Sequence, residues 1–234
     1  LGVCMGVKSL RWQYLRLMHI PLPLCVFSFV TLAAVISPII YLDRLLWTYL
    51  IVFASLCLAS YSFDELRGRP LHTTIPENHL RALGWTGVAV SVLAGVYLAI
   101  TVSPVLLAWI PPSGFVILAY NMELFKGRFH NAATFALGWG GIPPLGSFFL
   151  QTLTINLAAT LLATSSVVFS FAIWTLTHDL RGEIDTLQEM AGKVAGDVMT
   201  IRRSARRVIW KITRILCYSI TLFTIALTYY RFFP

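Results

Sequence analysis

Leu83-Gly84-Trp85-Thr86-Gly87-Val88-Ala89-Val90-Ser91-Val92-Leu93-Ala94-Gly95-Val96-Tyr97-Leu98-Ala99-Ile100-Thr101 carries no charge, and Val102-Ser103-Pro104 leads straight into Val105–Met122, which carries none either. At 1.5 Å per residue, each run forms a helix close to the ~30 Å of hydrocarbon in a bilayer. A three-residue link between two such helices leaves room only for a tight antiparallel hairpin. Working outward, five more apolar runs follow the same rule: Ile20–Leu42, Leu45–Phe63, Asn131–Leu150, Leu153–Thr177 and Ile212–Tyr230. Gln151-Thr152 is the only link between the two runs it joins. Composition agrees, with 57% hydrophobic and 12% charged residues, against about 25% charged in a soluble domain. The expected fold is an all-α polytopic membrane helical bundle of about seven transmembrane helices. It forms one domain over residues 1–234, with an amphipathic, basic segment over 183–211 before the last helix.

Sixteen of the 18 basic residues fall on one side of these spans, leaving Arg44 and Arg231 opposite. The positive-inside rule makes the crowded side cytoplasmic and places the N-terminus there. A net charge of +8 therefore reads as topology and contact with anionic membrane lipids, not nucleic acid. All five histidines and nine of the ten acidic residues fall on that same side, Asp43 being the exception. A conduit places polar groups along its path at the midplane. Titratable chemistry gathered at one entrance favours an enzyme that opens to the cytoplasmic leaflet over a transporter. The four cysteines, Cys4, Cys25, Cys57 and Cys217, show no metal or redox spacing and read as small buried hydrophobes.

Two acidic clusters stand at span ends: Asp64-Glu65-Leu66-Arg67-Gly68-Arg69-Pro70-Leu71, and His178-Asp179-Leu180-Arg181-Gly182-Glu183-Ile184-Asp185. Intramembrane charge costs at least about 2.5–3.5 kcal/mol at the bilayer centre, so polar clusters at helix mouths are functional candidates. Paired carboxylate clusters suit a divalent metal holding a phosphorylated substrate. Asp179 and Glu183, four residues apart, share a helix face. Asp64 and Glu65 cannot share one, so one faces the metal and the other a nearby arginine. A third polar stretch, Tyr120-Asn121-Met122-Glu123-Leu124-Phe125-Lys126-Gly127-Arg128, closes the fourth span.

In order and position these three stretches resemble the UbiA superfamily of intramembrane prenyltransferases. That family has one Asp-rich motif after its second helix, followed by Arg-Pro-Leu, and another after its sixth. The match covers about Leu10 to Asp185. The resemblance implies Mg²⁺ bound by Asp64, Glu65, Asp179 and Glu183. It implies a polyprenyl diphosphate held by Arg67, Arg69, Lys126, Arg128, Asn131 and His178. Asp64, Asp179, Lys126 and Tyr120 are its implied catalytic residues. The implied reaction is transfer of the polyprenyl group to an aromatic or lipid acceptor; a terpene cyclase fits the same residues. Tyr61 and Gly68 stand where the family carries aspartates, and seven expected spans compare with its usual nine. Those differences equally suit a non-catalytic lipid-binding member, or a structural subunit with a membrane-protein partner.

Each of these residues also has an ordinary role. Lys126 and Arg128 suit a positive-inside loop, and Asn131 suits the N-cap of the next helix. Glu123 suits either a metal or a salt bridge with Lys126. Histidines 72, 130 and 178 suit solvated or hydrogen-bonded boundary positions. The basic stripe Arg203, Arg207, Lys211 and Arg214 suits lipid headgroups, or a lid over a diphosphate.

Overall fold

The computed structural model describes residues 10–18, 20–179 and 195–232. These form helices and their connections, with no strand among the described residues. The helices are α1 (Leu10–Leu17), α2 (Pro21–Val35), α3 (Leu42–Gly68), α4 (Glu77–Thr101), α5 (Pro104–Asn121), α6 (residues 132–152), α7 (Leu157–His178) and α8 (Ala195–Phe232). Five are long and apolar enough to cross a membrane: α3, α4, α5, α7 and, from Arg207 onward, α8.

The two other expected spans are helical but fall short of that standard. Helix α2 stops at Val35, where the Ser37 hydroxyl donates to Ala34 O at 2.6 Å and Pro38 withdraws a backbone donor. Helix α6 is long enough, but Gly138, Gly140, Gly141, Pro143 and Pro144 dilute its apolar surface. At the other extreme, α8 runs unbroken for 38 residues. The described part of the expected basic segment, residues 195–211, is thus the first half of α8. Arg207, Lys211 and Arg214 are exposed along it.

Contacts cluster into two compact units. In the first, which includes α1, α4, α5 and most of α3, glycine sets the packing distance. A Cβ on Gly87 would overlap Ala54 O and Ala59 N of α3, and one on Gly84 would meet the Phe63 ring. Here α3 widens into a π-helical segment, Phe53–Ser60, in which the Ser60 hydroxyl donates to Ser55 O at 3.1 Å. A hydroxyl of this kind satisfies a carbonyl released from regular helix pairing. Phe63 meets Trp85 edge to face at 5.6 Å, and Asn121 of α5 donates to Ser60 Oγ at 3.1 Å.

The second unit includes most of α2, then α6, α7 and α8. Its core joins Ala33, Phe148 and Ala159, with Leu145 and Leu162 packed against them. Gly140, in a second π segment (Leu137–Gly141), lies against the α7 backbone at Ser166 and leaves no space for a side chain. The Ser147 hydroxyl donates to Val30 O at 2.7 Å. Arg44 donates to Leu150 O at 2.8 Å and Gln151 O at 3.2 Å, and lies 4.1 Å from the Tyr41 ring centroid. Arg231 donates to Pro38 O at 3.0 Å. Both basic residues that stand apart from the other sixteen are therefore spent on carbonyls at chain turns.

Candidate functional site

The first unit gathers Asp64, Glu65, Arg67 and Arg69 with Tyr120 and Glu123. Asp64 and Glu65 are adjacent on the last turns of α3, so their side chains leave the helix about 100° apart. Glu65 turns inward and is fully buried. Its Oε2 accepts from Leu71 N at 3.0 Å, and its Oε1 accepts from Thr73 N at 2.8 Å and Thr73 Oγ1 at 2.7 Å. The partner expected for this second carboxylate was an arginine; the structure gives it backbone amides instead.

Arg69 works on the same loop. It caps α3 in a left-handed conformation (φ 50°), and its guanidinium donates to Thr73 O at 3.1 Å and Ile75 O at 2.7 Å. From outside, Gln13 of α1 brackets Thr74, accepting from its amide and donating to its hydroxyl, while Tyr14 OH meets His79 Nδ1 at 2.8 Å. Residues 69–75 are thus clamped from both sides, with Ile75 and Thr73 buried beneath. His72 is exposed on this loop.

Asp64 is left half-buried, with no hydrogen bond or ion pair among the described residues. Its carboxylate lies within electrostatic reach of Glu123, Glu65 and Tyr120. Glu123 forms an ion pair with Arg67 at 3.0 Å, and not with Lys126. Tyr120 is buried, with His130 stacked on its ring at 4.6 Å.

The loop after α5 is wound tightly. Glu123, Phe125 and Lys126 all adopt positive φ (48°, 56° and 59°), followed by Gly127 at 76°. Left-handed backbone in non-glycine residues is costly and needs surrounding contacts to hold it. An aromatic cluster supplies them, with Phe115 against Phe129 at 5.0 Å and Phe125 against Phe129 at 5.6 Å. The turn exposes Lys126 and Arg128.

In the second unit, Asn131 caps α6, its Oδ1 accepting from Thr134 N at 3.0 Å, as its position reads. His178 stacks on Trp174 at 3.8 Å and 4° in a π segment, Thr175–Asp179, and its Nδ1 meets Thr177 Oγ1 at 2.9 Å. The side chain of Asp179, Glu183 and the convergence expected of them with Asp64 lie outside the described residues.

Mg²⁺ takes one or two carboxylates and completes its shell with water and phosphate oxygens. Asp64 and Glu123 supply that number, although no group of three or more metal-ligating side chains gathers among the described residues. The sequence did not expose the roles of Thr73, Gln13 and Tyr14, because each acts only through contacts distant in the chain. No protein-family model matches the chain, and no curated protein or solved structure shows a significant similarity to it.

Proposed function

We propose that this chain is a membrane-embedded enzyme that binds a polyprenyl diphosphate with Mg²⁺ and transfers the prenyl group to an aromatic or lipid acceptor. In this reading the apolar runs make seven spans, and the face carrying Asp64 is cytoplasmic. The observation that carries it is Asp64: a half-buried carboxylate with no hydrogen bond or ion pair among the described residues, beside a second carboxylate at the end of a membrane-length helix. A carboxylate with no counter-ion among the described residues, set beside other carboxylates, attracts a cation. In a partly desolvated site that attraction exceeds its strength in water.

Bound Mg²⁺ would neutralise the diphosphate as the allylic C–O bond breaks. Asp64 would hold the ion, while Arg67 restrains Glu123 and sets how much of its charge is free. Lys126 and Arg128, exposed on a left-handed turn, would steer the anionic headgroup; Arg also offers bidentate phosphate contact. Tyr120 would donate a hydrogen bond to the leaving oxygen. Asp179, Glu183 and His178 remain proposed from the sequence alone.

A second reading, a lipid-binding or structural subunit without turnover, is favoured by the engagement of Glu65 and Arg69 in holding a loop. The test uses the full chain in lipid nanodiscs with radiolabelled prenyl diphosphate, with Mg²⁺ or with EDTA. Prenyl transfer that needs Mg²⁺ and disappears in Asp64→Asn supports the enzyme. Binding unaffected by EDTA and by Asp64→Asn, with no product from any acceptor, supports the subunit.

A further inference from the structure

Helices α2 and α8 are joined by a series of polar contacts in constant register. Ser28 and Thr221 hydroxyls lie 3.2 Å apart. Each also donates to the carbonyl one turn back, Leu24 O at 2.7 Å and Cys217 O at 2.8 Å. Beyond the end of α2, Arg231 donates to Ser37 O at 3.4 Å and Pro38 O at 3.0 Å. The partners stay 193 to 194 positions apart over this length, so the two helices run parallel and in step. Cys25 stands one turn before Ser28 on α2 and Cys217 one turn before Thr221 on α8, so the same seam places the two cysteines on facing turns. Neither is in a disulfide, and both are buried, Cys217 completely and Cys25 with 5% of its surface exposed.

We infer that Cys25 and Cys217 are a reversible redox pair that cross-links α2 to α8. Two thiols on facing turns need only a local approach to reach the S–S bond length of ~2.05 Å, and parallel helices in register hold those turns opposite each other. A lone buried cysteine is inert, whereas a second cysteine on the facing turn supplies the thiol that resolves an oxidised sulfur into a disulfide. Burial excludes bulky thiol exchangers such as glutathione and leaves a small peroxide as the fitting oxidant. Peroxide transfers one oxygen to the Cys25 sulfur, giving a sulfenic acid and one water. The Cys217 sulfur then attacks that sulfur, the S–O bond breaks, and the hydroxyl leaves as a second water with the Cys217 proton. Overall, two thiols and one peroxide become one disulfide and two waters. A small dithiol reductant reverses the cross-link. The bond would tie two positions 192 residues apart and stop α8 from sliding along or leaving α2.

The experiment exposes the full chain, in lipid nanodiscs, to hydrogen peroxide. It then blocks free thiols with N-ethylmaleimide and maps peptides by mass spectrometry with and without dithiothreitol. The expected result is a Cys25–Cys217 linked peptide that dithiothreitol releases, with Cys57 and Cys4 alkylated. A second measurement compares thermal unfolding before and after peroxide. The transition should move upward in the wild-type chain and stay in place in Cys25→Ser and in Cys217→Ser. Linkage to another cysteine, over-oxidation without linkage, or two thiols that survive peroxide and alkylate separately would each overturn the inference. Peptide mapping of the wild-type chain decides the matter even where a serine variant does not fold.

Discussion

Glu65 closes back on Thr73, its Oε1 accepting from the Thr73 amide at 2.8 Å and from the Thr73 hydroxyl at 2.7 Å. A helix-end carboxylate is here an internal cap for the loop that follows, and the buried charge is tolerated because three donors surround it. Glu65→Ala would strand those donors, so a loss of about 3 kcal/mol is expected from the energetics of hydrogen bonds to buried charged groups. Thermal unfolding in detergent micelles measures it. Glu65→Gln, which keeps one acceptor oxygen, should lose less.

Asp64, its neighbour, should behave in the opposite way. It has no partner to lose among the described residues, so Asp64→Asn should leave the unfolding transition in place. Mg²⁺-dependent retention of a prenyl diphosphate should fall at least tenfold in a filter-binding assay, equivalent to about 1.4 kcal/mol.

The Arg67–Glu123 pair is exposed by 50% and 41% on its two sides, and such pairs contribute at most about 1 kcal/mol. Arg67→Ala should therefore leave stability nearly unchanged. By freeing Glu123, it should tighten binding of Mg²⁺ alone, measured by isothermal titration.

Gly87 packs against the α3 backbone, which cannot rotate out of the way as a side chain can. Gly87→Ala is expected to cost about 1–3 kcal/mol, the range for overpacking a tight contact. Gly114→Ala is the control, since a methyl there meets nothing within 4 Å and should be neutral or slightly stabilising.

Arg44 donates to two carbonyls that end α6 while lying over Tyr41. Arg44→Ala should cost about 1.5–3 kcal/mol, the range for charged hydrogen bonds. Arg44→Lys should restore only part, because a single ammonium cannot reach both carbonyls and also stack on the ring. Melting temperatures of the two variants provide the comparison.

What could be read along the chain was whatever depends on each residue's own transfer energy and on spacing. The uncharged runs Leu83–Thr101 and Val105–Met122 lie within observed α4 and α5, with only Met122 outside. Asn131 was legible as an N-cap because capping reaches only three residues ahead. Hydropathy did not reveal that Ser37-Pro38 ends α2 early, nor that the described part of the basic stretch, residues 195–211, belongs to one unbroken α8. Termination and continuation depend on local backbone bonding, which average apolarity does not record.

Tertiary structure alone decided which of two adjacent carboxylates stays open. Asp64 and Glu65 have the same charge and nearly the same neighbours in sequence. Their roles diverge because a helix sends them in different directions and the loop at 69–75 folds over only one of them. In the same way, Cys25 and Cys217 had no spacing to connect them and stand on facing turns only because α2 and α8 run parallel. Contacts between distant residues depend on which helix faces meet, and that is a property of packing, not of any one segment.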